Sequence, residues 1–175
     1  DDFETGDLSR WSSVSGLTVQ QDVIAAGAWA ARGTSSGTGA STYRQLIAGQ
    51  PDLYYRLRFN LLSHGPNSVN LARVRTGTGG AVTTMLVTST GKLGYRNDVT
   101  GVSYVSTVGV ASGWHELQFH VFVNDTASAV EVWLDGVPVA DLTRQDSLGA
   151  SSIGRVELGD SSVGRTFDVT FADGL

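Results

Sequence analysis

The sequence contains no cysteine. That excludes disulfides and thiolate metal sites. Lysine is nearly absent too: Lys92 is the sole lysine among 12 bases, and acids outnumber bases 17 to 12, for a formal net charge of −5. Phosphate neutralisation needs a basic face, so this balance argues against a nucleic-acid partner. No apolar run approaches the about 18 residues of a membrane span, so no membrane insertion is expected. Only four glutamates occur, at 4, 116, 131 and 157, which limits carboxylate-pair chemistry. The opening "DDFETG" has neither Met nor a signal peptide and reads as a processed chain or a domain of a longer one.

What is abundant is glycine, at 22 of 175 residues, between short apolar runs. Many glycines mean many turns, and many turns mean an all-β chain. The length suits one domain, 1–175, with a substantial core. The preference for Arg, Ala, Gly and Val is that of a GC-rich bacterial source. Period-two runs predict strands at 17–20, 28–32, 41–46, 53–62, 68–75, 82–88, 92–96, 102–108, 115–123, 130–134, 137–141, 153–158 and 165–172. No segment carries a helical period of useful length. The series reads as a sandwich of two antiparallel sheets.

Alternation assigns the faces. In "YYRLRFN", Tyr55, Leu57 and Phe59 share the inner side, while Tyr54, Arg56, Arg58 and Asn60 share the outer. In "HELQFHVFV", Leu117, Phe119, Val121 and Val123 point in, and Glu116, Gln118, His120 and Phe122 point out. In "VEVWL", Val130, Val132 and Leu134 point in, and Glu131 and Trp133 out. Between "VEVWL" and "VPVAD" stand only Asp135 and Gly136, the preferred pair of a type I′ turn. Asp135 is therefore read as a turn residue, not a catalytic carboxylate. Pro138 cannot donate a ladder hydrogen bond, which places it at an edge or a gap.

"GWHELQFHVFVND…AVEVWLDGVPV" resembles the laminin-G-like, concanavalin A-like jelly-roll domains, whose hallmark is Trp-His before an alternating strand and a later strand ending in Asp-Gly. "DDFETGDLSRW" and "GRVELGDSSVGRTFDVTFADG" are similar to the ends of bacterial extracellular versions. The resemblance covers nearly the whole chain. It implies two antiparallel sheets, one concave, of roughly 12 to 14 strands, and a secreted or cell-surface location. It departs at the end: the family's two adjacent aspartates are here Ala172 and Asp173.

Three kinds of site follow. Many domains of this type hold a structural Ca²⁺ near the chain ends, and Asp2, Glu4 and Asp173 are the candidate ligands, with Asp168 in reserve. Phe3 is expected to point inward, leaving Asp2 and Glu4 on the outer side. A sugar platform needs flat apolar faces and planar hydrogen-bonding groups. Trp133, His120, Gln118, Glu131, Tyr54, Arg56 and Arg58 supply both, with Arg73, Arg75 and Arg96 assigned to the same outward set and Trp133 expected to be exposed. Catalysis is the third. Glycosidases of this fold carry Glu-x-Asp-x-x-Glu or Glu-x-Asp-x-Glu on one strand, and none of the four glutamates stands in such a motif. Alginate lyases of this fold use Arg-x-Glu-Leu-Arg, Gln-x-His and Tyr-bearing strands. Gln118 and His120 echo the second, but "YYRLRFN" lacks the Glu. The expected function is a non-catalytic extracellular carbohydrate-binding, lectin-like module, with glycan or polysaccharide as partner. The competing reading is a structural or adhesive building block that packs against neighbouring domains or its own copies; a polysaccharide hydrolase or lyase is the outsider.

Overall fold

The structure is a computed structural model that describes residues 2–174, with the side chains of Ile47 and Asp173 outside the described set. In chain order its strands are β1 (Ser13–Ser15), β2 (Leu17–Gln20), β3 (Ala30–Ser36), β4 (Ala40–Gln50), β5 (Asp52–His64), β6 (Val69–Thr76), β7 (Ala81–Val87), β8 (Lys92–Asn97), β9 (Ser103–Gly109), β10 (His115–Phe122), β11 (Ser128–Leu134), β12 (Val137–Pro138), β13 (Arg144–Asp146), β14 (Ile153–Asp160) and β15 (Thr166–Gly174). The all-β reading holds: these are two antiparallel sheets packed as a jelly-roll sandwich. The first runs β1-β4-β14-β6-β7-β8-β9 and the second β12-β11-β10-β5-β15-β3-β2, with β13 also pairing β11.

Each strand read from period two is present, but the boundaries differ in instructive places. The three-residue strands β1 and β13 have no inward apolar residue to announce them, being exposed throughout in β1 and polar throughout in β13. They raise the strand number to 15 among the described residues, above the 12 to 14 the resemblance implies. The strand expected over 137–141 stops at Pro138, because Ala140–Leu142 winds into a 3₁₀ turn that buries Leu142. Pro138 lies on edge strand β12, where its missing N–H costs no ladder bond.

The core is the inner half of the alternation. Leu57 and Phe59 of β5, Leu117, Phe119 and Val121 of β10, and Val130, Val132 and Leu134 of β11 are buried against Leu71, Met85, Leu93, Tyr95 and Val156 of the opposite sheet. Tyr55 is half-buried on the inner side, its ring tilted on Phe119 at 5.5 Å. Asn60, expected to face outward, is buried, because β15 pairs alongside it at Thr170. At one end of the sandwich a polar network joins the sheets. Tyr95 donates to Asp146 Oδ2 at 3.0 Å and Asn97 Nδ2 to Asp146 Oδ1 at 2.8 Å. Burial, and then the adjacent Asp146 charge, push the Tyr95 phenol well above its usual range.

The turn at 135–136 is as the sequence implies: Asp135 has φ +53° and Gly136 φ +77°, both positive as type I′ demands. Asp135 also ties the ribbon together. Its Oδ1 accepts the Glu116 N–H at 2.8 Å, and its Oδ2 lies 2.7 Å from His115 Nδ1, while His115 Nε2 reaches the Ala111 carbonyl at 3.1 Å. The Trp-His and Asp-Gly pairs, 20 residues apart, are thus one device: the histidine opening β10 grips the turn closing β11. Partial burial works against the Asp135 charge, but the His115 and Glu116 bonds outweigh it and hold the carboxyl below its ordinary range. A carboxyl so depressed contributes stability above its unfolded pKa and loses it as pH falls through the folded one. Asp135→Asn keeps a residue tolerant of positive φ and removes the charge. It should destabilise the protein near neutral pH by about 1 kcal/mol or less, the carboxylate being nearly half exposed. Urea midpoints between pH 3 and 7 should show the difference closing below about pH 4; a pH-independent difference would count against this account.

Candidate functional site

The register of β5, β10 and β11 stacks their outer residues into cross-strand rows. Arg58 stands opposite Glu116; Arg56, Gln118 and Trp133 form the next row; Tyr54, His120 and Glu131 the next. Successive rows on one face lie about 7 Å apart, and neighbouring strands about 4.8 Å. The seven residues expected to form a sugar platform therefore come together on one face of the second sheet.

The row around His120 is tightly built. The imidazole stacks on Tyr54 with ring centroids 3.9 Å apart and planes within 1°. Its Nδ1 is 2.7 Å from Glu131 Oε2 and its Nε2 2.8 Å from Asp52 Oδ1. Both ring nitrogens are engaged, and the ring is held between two carboxylates. Tyr54, covered on one side by His120, is 68% exposed, so an aromatic face is offered to solvent. Asp52 was not among the residues singled out from sequence; it precedes the apolar run of β5, and only its register opposite Phe122 brings it to His120.

The neighbouring row is looser. Gln118 Nε2 donates to Glu116 Oε1 at 2.7 Å, and Glu116 also faces Arg58 at 3.6 Å and Arg56 at 4.0 Å. Trp133 is half-buried rather than exposed, since Pro138 of β12 pairs directly beside it. Tyr54, Tyr55, Arg56, Gln118, Phe119 and Trp133 line an open depression of about 460 Å³.

Arg73, Arg75 and Arg96, grouped with this face in the sequence reading, do not belong to it. They lie on β6 and β8 of the first sheet, on the opposite side of the sandwich. Period two tells inner from outer, but not which of two sheets an outer residue serves.

The expected metal ligands are held differently. Phe3 is fully buried as expected, stacked on Trp11 at 6.0 Å, but in a turn with φ +63°, not in a strand. Asp2 and Glu4 are both exposed. Asp2 Oδ1 accepts the Glu4 N–H at 3.2 Å. The Glu4 carboxylate accepts from the Ala28 N–H at 2.9 Å and the Trp29 N–H at 3.1 Å. It occupies the space where a side chain at Gly27 would stand, and Gly27 has φ +75°. Asp168 is gripped bidentately by Arg32 at 2.8 and 2.6 Å. The Asp173 side chain lies outside the described residues. Among the described residues no three His, Asp or Glu side chains gather as a metal site.

No protein-family model and no curated protein matches the sequence. Solved structures do match the fold. The chain is similar to the cellulose-induced protein Cip1, with 18% identity and a TM-score of 0.78 over 100% of this chain and 94% of that one. It is similar to an endo-β-1,4-glucuronan lyase from the fungus Trichoderma reesei, with 16% identity and a TM-score of 0.70 over 97% and 91%. It is also similar to the carbohydrate-binding module CBM66 from Bacillus subtilis, with 14% identity and a TM-score of 0.52 over 93% and 95%. At these identities the shared property is the sandwich itself. Function must be argued from the site.

The Tyr54–His120 row is testable by itself. His120→Ala removes two charge-assisted bonds and the ring beneath Tyr54, and should lower stability by about 1–3 kcal/mol in urea denaturation. An unchanged midpoint would show that the clamp between Asp52 and Glu131 contributes nothing.

Proposed function

We propose that the chain is a non-catalytic, extracellular carbohydrate-binding module of the concanavalin A-like, laminin-G-like type, and that the face of β5, β10 and β11 is its glycan platform. The observation that carries this reading is the exposed Tyr54 ring, stacked on His120 and set diagonally from Trp133 across a shallow depression. Two strands across and one row along, the two aromatics are separated by about 12 Å, a span suited to more than one sugar unit. Aromatic faces meet the C–H surfaces of pyranoses. Arg56 and Gln118 between them, and Glu131 and Asp52 beside them, supply donors and acceptors for hydroxyls. An open shelf of this kind suits a polymer passing over it.

The fold neighbours are compatible with this reading, and they include enzymes as well as a binding module. What favours binding over catalysis is the use of the acids. Glu131, Asp52 and Glu116 are engaged by His120, Gln118 and the arginines, and no two stand as an acid and a free base across a cleft. As for the building-block alternative, β9 is the longest of the edge strands to which another copy could add. There Asp141 takes the Thr107 N–H at 2.8 Å and the Thr107 hydroxyl at 2.9 Å, which blunts that edge. No helix among the described residues is long and apolar enough to cross a membrane.

Affinity electrophoresis through a panel of polysaccharides should retard the protein on at least one. Tyr54→Ala and Trp133→Ala should each weaken that retention about tenfold, the worth of one stacking contact. Retention unchanged in the double variant would remove the platform from the reading. Release of reducing ends or unsaturated uronates from the panel would replace a binding module with an enzyme.

A further inference from the structure

The opposite face of the sandwich carries a second, chemically different feature. One row crosses the first sheet from β14 to β9: Glu157, Arg73, Thr84, Arg96 and Ser103. Arg75 lies next to this row, and Arg165 and Ser162 rise from the segment between β14 and β15. Apart from Glu157, these residues and Asp98 line a cleft of about 420 Å³. Four arginines and one aspartate therefore face one hollow, in a chain whose net charge is −5.

The guanidinium groups are poorly used by the protein. Each has five N–H donors. Arg73 donates to Ser161 Oγ at 2.9 Å and Ser162 Oγ at 3.4 Å, and its Nε is buried with no partner. Its carboxylate neighbours, Glu157 and Asp160, stand at 3.9 Å. Arg75 lies 3.5 Å from Asp98 and 3.9 Å from Glu157, and Arg96 3.3 Å from Asp98, all as ion pairs without hydrogen-bond geometry. Asp98 is instead hydrogen-bonded by Thr84 at 2.7 Å. Burial, and then the like charge of Arg75, hold the Arg73 guanidinium below arginine's usual range despite Asp160, Glu157 and Asp98. Arg165 differs, being committed to Asp160 at 2.7 Å and the Ser68 carbonyl at 2.8 Å.

We infer that this cleft is a second binding site, and that it takes a carboxylate-bearing saccharide of the uronate type. A planar carboxylate matches the guanidinium forks of Arg73, Arg75 and Arg96 bidentately. Ser103 and Ser162 line the same cleft and suit sugar hydroxyls. No aromatic residue lines it, so a neutral sugar has no stacking surface here. Asp98 and Glu157 keep the positive excess small, which suits one carboxylate per sugar and disfavours densely charged polyanions such as nucleic acids. The site stands independently of the Tyr54–Trp133 shelf, which occupies the other sheet.

Isothermal titration with an oligoglucuronate tests it, run beside the methyl ester of the same oligomer, a sulfated neutral oligosaccharide of equal length and an acidic peptide. The acid form should bind. Esterification, Arg75→Gln and Arg96→Gln should each weaken binding about tenfold or more, the loss of one charge-assisted pair. Trp133→Ala should leave it unchanged. Arg96 is half exposed, so its replacement tests the site at little risk to folding, and the ester comparison needs no variant at all. Equal binding of acid and ester, or of wild type and both arginine variants, would overturn the inference. Tighter binding of the sulfated oligomer or of the acidic peptide would overturn the carboxylated-sugar assignment.

Discussion

The strict alternation across the ribbon of β5, β10 and β11 is the constraint from which the rest follows. A slip of one residue in β10 would carry Leu117, Phe119 and Val121 to solvent and bring Glu116, Gln118 and His120 into the core. Burying those three without partners would cost more than the fold has to spare. The register is secured at one end by the turn at 135–136 and by His115, which holds the Asp135 side chain from the start of the partner strand. The proposed glycan platform is therefore not an addition to the fold. It is the outer half of the pattern whose inner half makes the core.

The two faces of the sandwich solve different electrostatic problems. On the second sheet the acids are in use: His120 sits between Glu131 and Asp52, and Glu116 meets Gln118, Arg56 and Arg58. The aromatic left most open to solvent there is Tyr54. On the first sheet Asp98 is hydrogen-bonded by Thr84, and Asp160 by Arg165 and the Asn70 N–H, so Arg73, Arg75 and Arg96 hold no carboxylate by a hydrogen bond. What is left there is guanidinium N–H. An acidic chain thus concentrates its unused cations in one cleft by spending its anions on other partners.

Much of the fold could be read from period two, because apolar runs such as 115–123 and 130–134 admit only one burial pattern. The Asp135-Gly136 corner was legible because both positions need positive φ. What could not be read lacks a local signal. Ser13–Ser15 pairs with β4 without burying an apolar side chain of its own. Residues 140–142 look like a continuing strand until Leu142 must turn inward. Asp52 reaches His120, and Arg32 reaches Asp168, only through strand pairing over 68 and 136 residues. For the same reason the platform residues were legible as a set, whereas Arg73, Arg75 and Arg96 were assigned to the wrong sheet. Alternation orders residues along a strand; topology alone decides which strands share a face.

That topology also decides how the two faces can influence each other. The sheets pack about 10 Å apart, and the space between holds large, fully buried side chains such as Phe59, Phe119, Met85 and Tyr95. A close-packed core of this kind resists gradual deformation, and neither face needs a second packing of it to present its site. Coupling between sites requires such an alternative state that both ligands bias. A ligand on the shelf and a ligand in the arginine cleft should therefore each stabilise the folded state by its own mass action, with their contributions adding. A single polysaccharide could still engage both by passing around the sandwich, and the gain would then come from effective concentration and not from any change in the protein. The rigidity that keeps the alternation in register is what makes the two surfaces independent.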